Sequence, residues 1–195
     1  MPTFIFNPYE RIKSRGDCVH MSHITMAEAL AVRAAMNRLI NQLMQERLNN
    51  SSTIIEKGET AEVPARSVDV ITEEIDAVSA DFRKLDLLMA ISNTTETIPW
   101  NGSNITVMEA IELAKQMRNE IGQLAHLGTR KKLERQSSRG LEGGAVTLFN
   151  VALYDPEAYH AAARKKEREV TKLSSLIEHA NHHSKIPFDA TKYME

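Results

Sequence analysis

Five basic residues fall within ten positions, Arg130, Lys131, Lys132, Arg135 and Arg139, and Gly140, Gly143 and Gly144 follow. Guanidinium forks and exposed glycine N–H groups both suit phosphate oxygens, so the loop from 128 to 150 reads as an anion cradle. Glu134 and Glu142 dilute its field, and the alternative reading is a solvated charged loop. A second row, Arg33, Asn37, Asn41, Gln45 and Asn49, recurs at every fourth position and so shares one face of a helix. Amides accompanied by a single charge suit a subunit contact or a ligand-lined groove as well as plain solvent. Arg33 and Asn37 are the members expected to complete the anion site, from the same subunit or a neighbouring one.

Other reactive side chains form no recognisable centre. His20-x-x-His23 and His179-x-x-His182-His183 offer imidazole nitrogens, but no His-Glu-x-x-His run or cysteine cluster accompanies them, so no metal site is expected. Cys18 is the single cysteine and has no base placed beside it, which argues against a nucleophile and against a disulfide framework. The segment 140–144 lacks the Gly-Lys-Ser/Thr ending of a phosphate-binding P-loop. No carboxylate pair has a spacing that forces acid–base partnership. The expectation is a protein without catalysis, cofactor or metal.

The elements that must hold these residues are written twice. Ile24-Thr25-x-x-Glu28-Ala29 with Met36, Ile40, Gln42 and Leu43 returns 81 positions later as Ile105-Thr106-x-x-Glu109-Ala110 with Met117, Ile121, Gln123 and Leu124. Asn93-x-x-x-x-Ile98-Pro99-Trp100-Asn101 returns as Asn181-x-x-x-x-Ile186-Pro187-Phe188-Asp189. Two repeats, 24–101 and 105–189, are therefore expected.

Each repeat reads as two helices. Thr25 with Glu28, and Thr106 with Glu109, have capping-box spacing and open helices over 26–49 and 107–127. Val68, Ile71, Ile75, Val78, Phe82, Leu85 and Met89 step by three and four, the seam of a coiled coil. Asp155-Pro156 opens the matching helix, whose seam Ala163, Lys166, Val170, Leu173, Ile177 and Ala180 has one polar intruder. Asn93 and Asn181 are expected as left-handed C-caps before each Ile-Pro. The predicted fold is all-α: a duplicated helical hairpin forming an antiparallel four-helix bundle with a coiled-coil-like core. A single helical domain spans 24–189, with an N-terminal arm over 1–23 and a tail over 190–195.

Bulk composition fits a helical protein with an aliphatic interior: 42% hydrophobic, 5% aromatic and a net charge of -2. So little net charge gives no global attraction to nucleic acid or an anionic membrane, and neither is an expected partner. No apolar run reaches the roughly 20 residues that span a bilayer, and the first residues lack the order of a secretion signal. The expected location is the cytoplasm.

Ala27-Glu28-Ala29-Leu30-x-x-Arg33, Gln42-Leu43-x-x-Glu46-Arg47-Leu48-x-Asn50, Ser92-Asn93 with Thr95, and Thr106-x-x-Glu109-Ala110 resemble the septicolysin-like proteins of bacteria and their phages. The resemblance spans about 25 to 189; the residues before Ile24 and the glycine-rich basic loop depart from it. It implies a helical homo-oligomer. The cytolytic activity in the family's name is not carried over, since no segment here is composed for membrane insertion. The functional expectation is a non-catalytic oligomer that binds or sequesters a small, nucleotide-like anion. In a phage member this would be a counter-defence sponge for a host immune signal. The alternatives are a structural or assembly protein of a larger particle, and a hydrolase whose site is unrecognised.

Overall fold

A computed structural model of the chain describes residues 22–136 and 148–194. Nearly all of the expected arm lies outside these residues, as do Cys18, His20, Arg139 and the glycines from 140 to 144. The described chain is mainly helical. Helices α1 (Met26–Asn49) and α2 (Val68–Thr95) form hairpin one, and α3 (Val107–Gly128) and α4 (Pro156–His183) form hairpin two. Six short strands accompany them: β1 (Ile24–Thr25), β2 (Thr97–Trp100), β3 (Ser103–Thr106), β4 (Leu133–Arg135), β5 (Phe149–Val151) and β6 (Lys185–Ile186).

Local chemistry fixes the helix starts. Thr25 Oγ1 accepts from Glu28 N at 3.1 Å while Thr25 N donates to Glu28 Oε2 at 2.6 Å, closing the capping box. The backbone N–H of Thr25, followed by its hydroxyl, holds the Glu28 carboxyl below its ordinary pKa. Thr106 Oγ1 accepts from Glu109 N at 3.1 Å, and Asp155 caps α4 ahead of Pro156.

Between the hairpins the chain makes a two-residue turn. Strands β2 and β3 pair antiparallel, with Trp100 opposite Ser103. Asn101 and Gly102 turn between them with φ of 48° and 84°. Positive φ at both positions is the type I′ turn, whose twist matches that of paired strands. The sequence reading missed this ribbon, although Asn-Gly between Trp100 and Ser103 carries its signal.

The core divides in two rather than forming the single interior of a four-helix bundle. One cluster joins Val32, Met36 and Leu43 of α1 to Ile71, Val78 and Leu85 of α2; the other joins Ala110, Ala114 and Met117 of α3 to Val170 and Leu173 of α4. The physical reason lies in the segments that follow α2 and α4. Ile186 and Phe188, which follow α4, are buried in the cluster of hairpin one, whereas Ile98 and Trp100, which follow α2, pack in that of hairpin two. Each repeat's Ile-Pro-aromatic run therefore completes the interior of the other repeat. Strand pairing obeys the same exchange, β1 with β6 and β2 with β3.

The helix ends meet in matching fashion. The carbonyl of Ser184, beyond α4, accepts from Met26 N at 3.2 Å, and that of Glu96, beyond α2, accepts from Val107 N at 3.0 Å. Each bond joins an orphan donor at a helix start to a carbonyl at another helix's end. The hairpins thus abut at a strand-built junction, and their connecting loops lie at the far ends of the helices.

Asn93 and Asn181 are not C-caps. The helices run on to Thr95 and His183, and the caps are Glu96 (ψ 139°) and Ser184 (ψ 132°), both extended. A chain that must enter a strand directly leaves the helix without a left-handed reversal. Each asparagine nonetheless lies three residues before its cap, so the repeats remain in register. Lys166, the polar intruder of the second seam, pairs with Glu120 at 2.6 Å.

Residues 190–194 pack on hairpin one. Ala190 is buried and Tyr193 O–H donates to Asp81 Oδ2 at 2.5 Å. Burial, and then this bond, raise the phenol's pKa.

The exchange predicts where damage will travel. Ile186→Ala, emptying a site with 0% exposure, should cost about 2–5 kcal/mol. Hydrogen exchange should show lost protection in α1 and α2 with α3 and α4 retained, and Ile98→Ala should do the reverse. Equal loss across all four helices in either variant would show a shared core instead.

Candidate functional site

The basic residues stand at the far end of hairpin two, where α3 closes against the start of α4. Gly128 ends α3 with its backbone against His160: a Cβ there would lie 2.9 Å from the N and Cα of His160, so only glycine permits the approach. Tyr154 locks the closure, its O–H donating to Leu127 O at 3.1 Å and its ring meeting Tyr159 edge-on at 5.1 Å. Lys132 Nζ donates to Tyr154 O at 2.6 Å and ties the basic segment to the same point.

From this anchor rises the ribbon of β4 and β5, with Leu133 opposite Val151, Glu134 opposite Asn150 and Arg135 opposite Phe149. Between ribbon and helix end lies a cleft of about 370 Å³, lined by His126, Arg130, Lys131, Glu134, Asn150 and Tyr154 among others. Side chains alternate along a strand, so the Leu133–Val151 and Arg135–Phe149 pairs share the face opposite the Glu134–Asn150 pair. Leu133 and Phe149 of that face are 57% and 50% exposed, and Val151, 56% exposed, also borders the cleft.

The expected anion site is therefore brought together in part. Arg130 and Lys131 line the cleft. Lys132 binds a backbone carbonyl, Arg135 stands on the ribbon's other face, and Arg139 lies outside the described residues. Arg33 and Asn37 sit on hairpin one. Arg33 forms an ion pair with Asp86 of α2, and its guanidinium lies 5.1 Å from the centre of the Phe82 ring. Asn37 is exposed on the amide row, where Gln45 donates to Asn49 at 3.1 Å. The 22 residues of α3, about 33 Å of helix, separate the junction from the cleft, so one chain does not bring Arg33 and Asn37 to it.

A second hollow, about 510 Å³, sits at the junction and includes Glu96, Pro99, His179, His183 and Lys185 in its lining. The imidazoles of His179 and His183 stack with centroids 4.0 Å apart, and His183 Nδ1 lies 2.8 Å from His179 O. The i, i+4 histidine spacing was the available signal, but the hollow exists only because β2 crosses to hairpin two. Among the described residues no group of three or more His, Cys, Asp or Glu side chains is placed to hold a metal ion. No described helix is long and apolar enough to cross a membrane.

No protein-family model matches the chain, and no curated protein does. A crystal structure of a functionally unknown conserved protein from Corynebacterium diphtheriae is similar in fold, with a TM-score of 0.59 at 18% identity over 85% of this chain and 99% of that one. Coverage of that extent exceeds either repeat, so the likeness takes in parts of both hairpins.

The closure of hairpin two is the part of the site most open to a structural test. Gly128→Ala should push on the His160 backbone and cost about 1–3 kcal/mol, as overpacking does. Backbone amide shifts in an NMR spectrum should concentrate at 126–132 and 154–160. A variant with the parent's melting temperature and spectrum would show that the helices do not touch there.

Proposed function

We propose that this chain is a non-catalytic, oligomeric helical protein that binds and retains a small anionic, nucleotide-like ligand in the cleft beneath the β4–β5 ribbon. The observation that carries this reading is the convergence of Arg130 and Lys131 on one wall of a hollow large enough for a nucleotide-sized group. His126, Asn150 and Tyr154 supply hydrogen-bonding groups around it. Glu134 on the same lining disfavours a bare polyanion and favours a ligand that also presents donors, such as a ribose or a base.

The exposed face of the ribbon supports oligomerisation. Two strands alone are marginal in water, and an apolar face of this kind marks a contact surface. The same face supports the competing reading, an assembly protein that polymerises into a larger particle. A closed oligomer of defined mass favours the ligand-binding reading, and open growth with concentration favours assembly.

Charge-assisted contacts contribute about 1.5–3 kcal/mol each. Arg130→Ala combined with Lys131→Ala should thus weaken ligand binding by about two to four powers of ten, with helix content unchanged by circular dichroism. Titration calorimetry with cyclic dinucleotides, ADP-ribose derivatives and inorganic phosphate is the measurement. If none binds the parent protein, or the double variant binds equally well, the ligand-binding reading fails.

A further inference from the structure

The two far ends of the molecule carry opposite charge and are both apolar at the surface. At the end of hairpin one, the 50–67 loop holds Glu56, Glu59 and Glu62 against Lys57 and Arg66, with Arg66 held by Glu46 and Glu74, and Asp69, Glu73, Glu74 and Asp76 follow on the first turns of α2. Ile54 is 100% exposed there and Val63 84%. At the end of hairpin two, positions 126 to 136 hold Arg130, Lys131, Lys132 and Arg135 against Glu134, with Asp155 and Glu157 at the start of α4, beside the exposed Leu133 and Phe149.

These ends do not meet within one chain. Each loop sits at the end of its helices opposite the junction, and neither strand of the ribbon packs on α1 or α2. Hairpin one has no ribbon of its own to pair with that of a second copy, and two basic ribbons repel. We infer that the β4–β5 ribbon of one copy docks on the acidic 50–67 loop of the next, a head-to-tail contact between copies of this chain. Exposed apolar side chains on both surfaces then leave water together, and the charges around them match in sign. Because the two surfaces differ, the contact repeats from copy to copy and closes into a ring or grows as a filament. Closed as a ring, the contact gives the oligomer of the ligand-binding reading above; the contact itself does not depend on the anion.

The test exploits charge reversal at each end. One variant carries Lys131→Glu and Arg135→Glu, leaving both ends acidic; a second carries Glu56→Lys and Glu62→Lys, leaving both ends mixed or basic. By sedimentation velocity the parent protein should be oligomeric and each variant alone monomeric. An equimolar mixture should regain the parent's mass, because each reversed end then finds its complement on the other variant. Recovery on mixing also shows that neither variant had merely misfolded. The parent assembly should also weaken on going from about 0.05 to about 0.5 M NaCl, because the Debye length falls from above about 10 Å to below it and exposed charges farther apart than that length are screened.

A monomeric parent, a tip variant that keeps the parent's mass, or a mixture that stays monomeric would each overturn the inference. Calorimetry on the Arg135→Glu single variant, whose residue is outside the cleft lining, separates the two readings. Anion binding by the parent and by the Arg135→Glu variant, with assembly unaltered in the charge-reversed proteins, sinks the docking contact alone, and assembly that follows the reversals with no anion bound by the parent sinks the ligand reading alone.

Discussion

The structure depends on one reciprocal exchange. A hairpin of two helices buries a single stripe on each and leaves the ends of that stripe open at the strand side. Here each opening is filled by the other repeat, Ile186 and Phe188 in hairpin one and Ile98 and Trp100 in hairpin two. The two short ribbons keep the crossing segments extended, and the prolines at 99 and 187 suit such geometry because their ring excludes helix from the residue before them. The caps, the abutting helix ends and the placing of both connecting loops far from the junction all follow from that crossing.

Periodicity and caps made the helix starts legible, whereas α2 and α4 run three residues beyond the ends expected from Asn93 and Asn181. The three-and-four spacing from Val68 to Met89, the threonine caps and Asp155-Pro156 are local signals, and local signals survive without knowledge of the partner. What the sequence could not show is which repeat each Ile-Pro-aromatic run would enter. A run that fills its own hairpin and one that fills its neighbour's bury the same residues, so composition and spacing are identical. Asparagine caps require a left-handed reversal at the helix end, and the direct passage from helix into a crossing strand leaves no place for one.

The site shows the same division. The clustered bases lie at the far end of hairpin two, where Arg130 and Lys131 line a cleft. Strand alternation then sends Arg135 to the far side of the ribbon, a parity that a basic run does not reveal until its pairing register with Phe149 is known. Arg33 looked available because its row is otherwise amides, yet Asp86 lies on another helix, 53 positions away, and takes its charge. Gly128 carried no motif at all, and its role appears only when His160 is brought against it.

The exchange also has a meaning for how such a molecule can vary. A single repeat cut from this chain would lack the segment that completes it and would possess one that fits only a second copy, which is the condition for two identical hairpins to trade ends as a swapped pair. The present chain has the form of that pair with its halves covalently joined. Joining removes the requirement that both ends be the same. One hairpin carries an acidic loop at its far end and the other a ribbon and a cleft, an inequality that a symmetric pair of separate chains could never express.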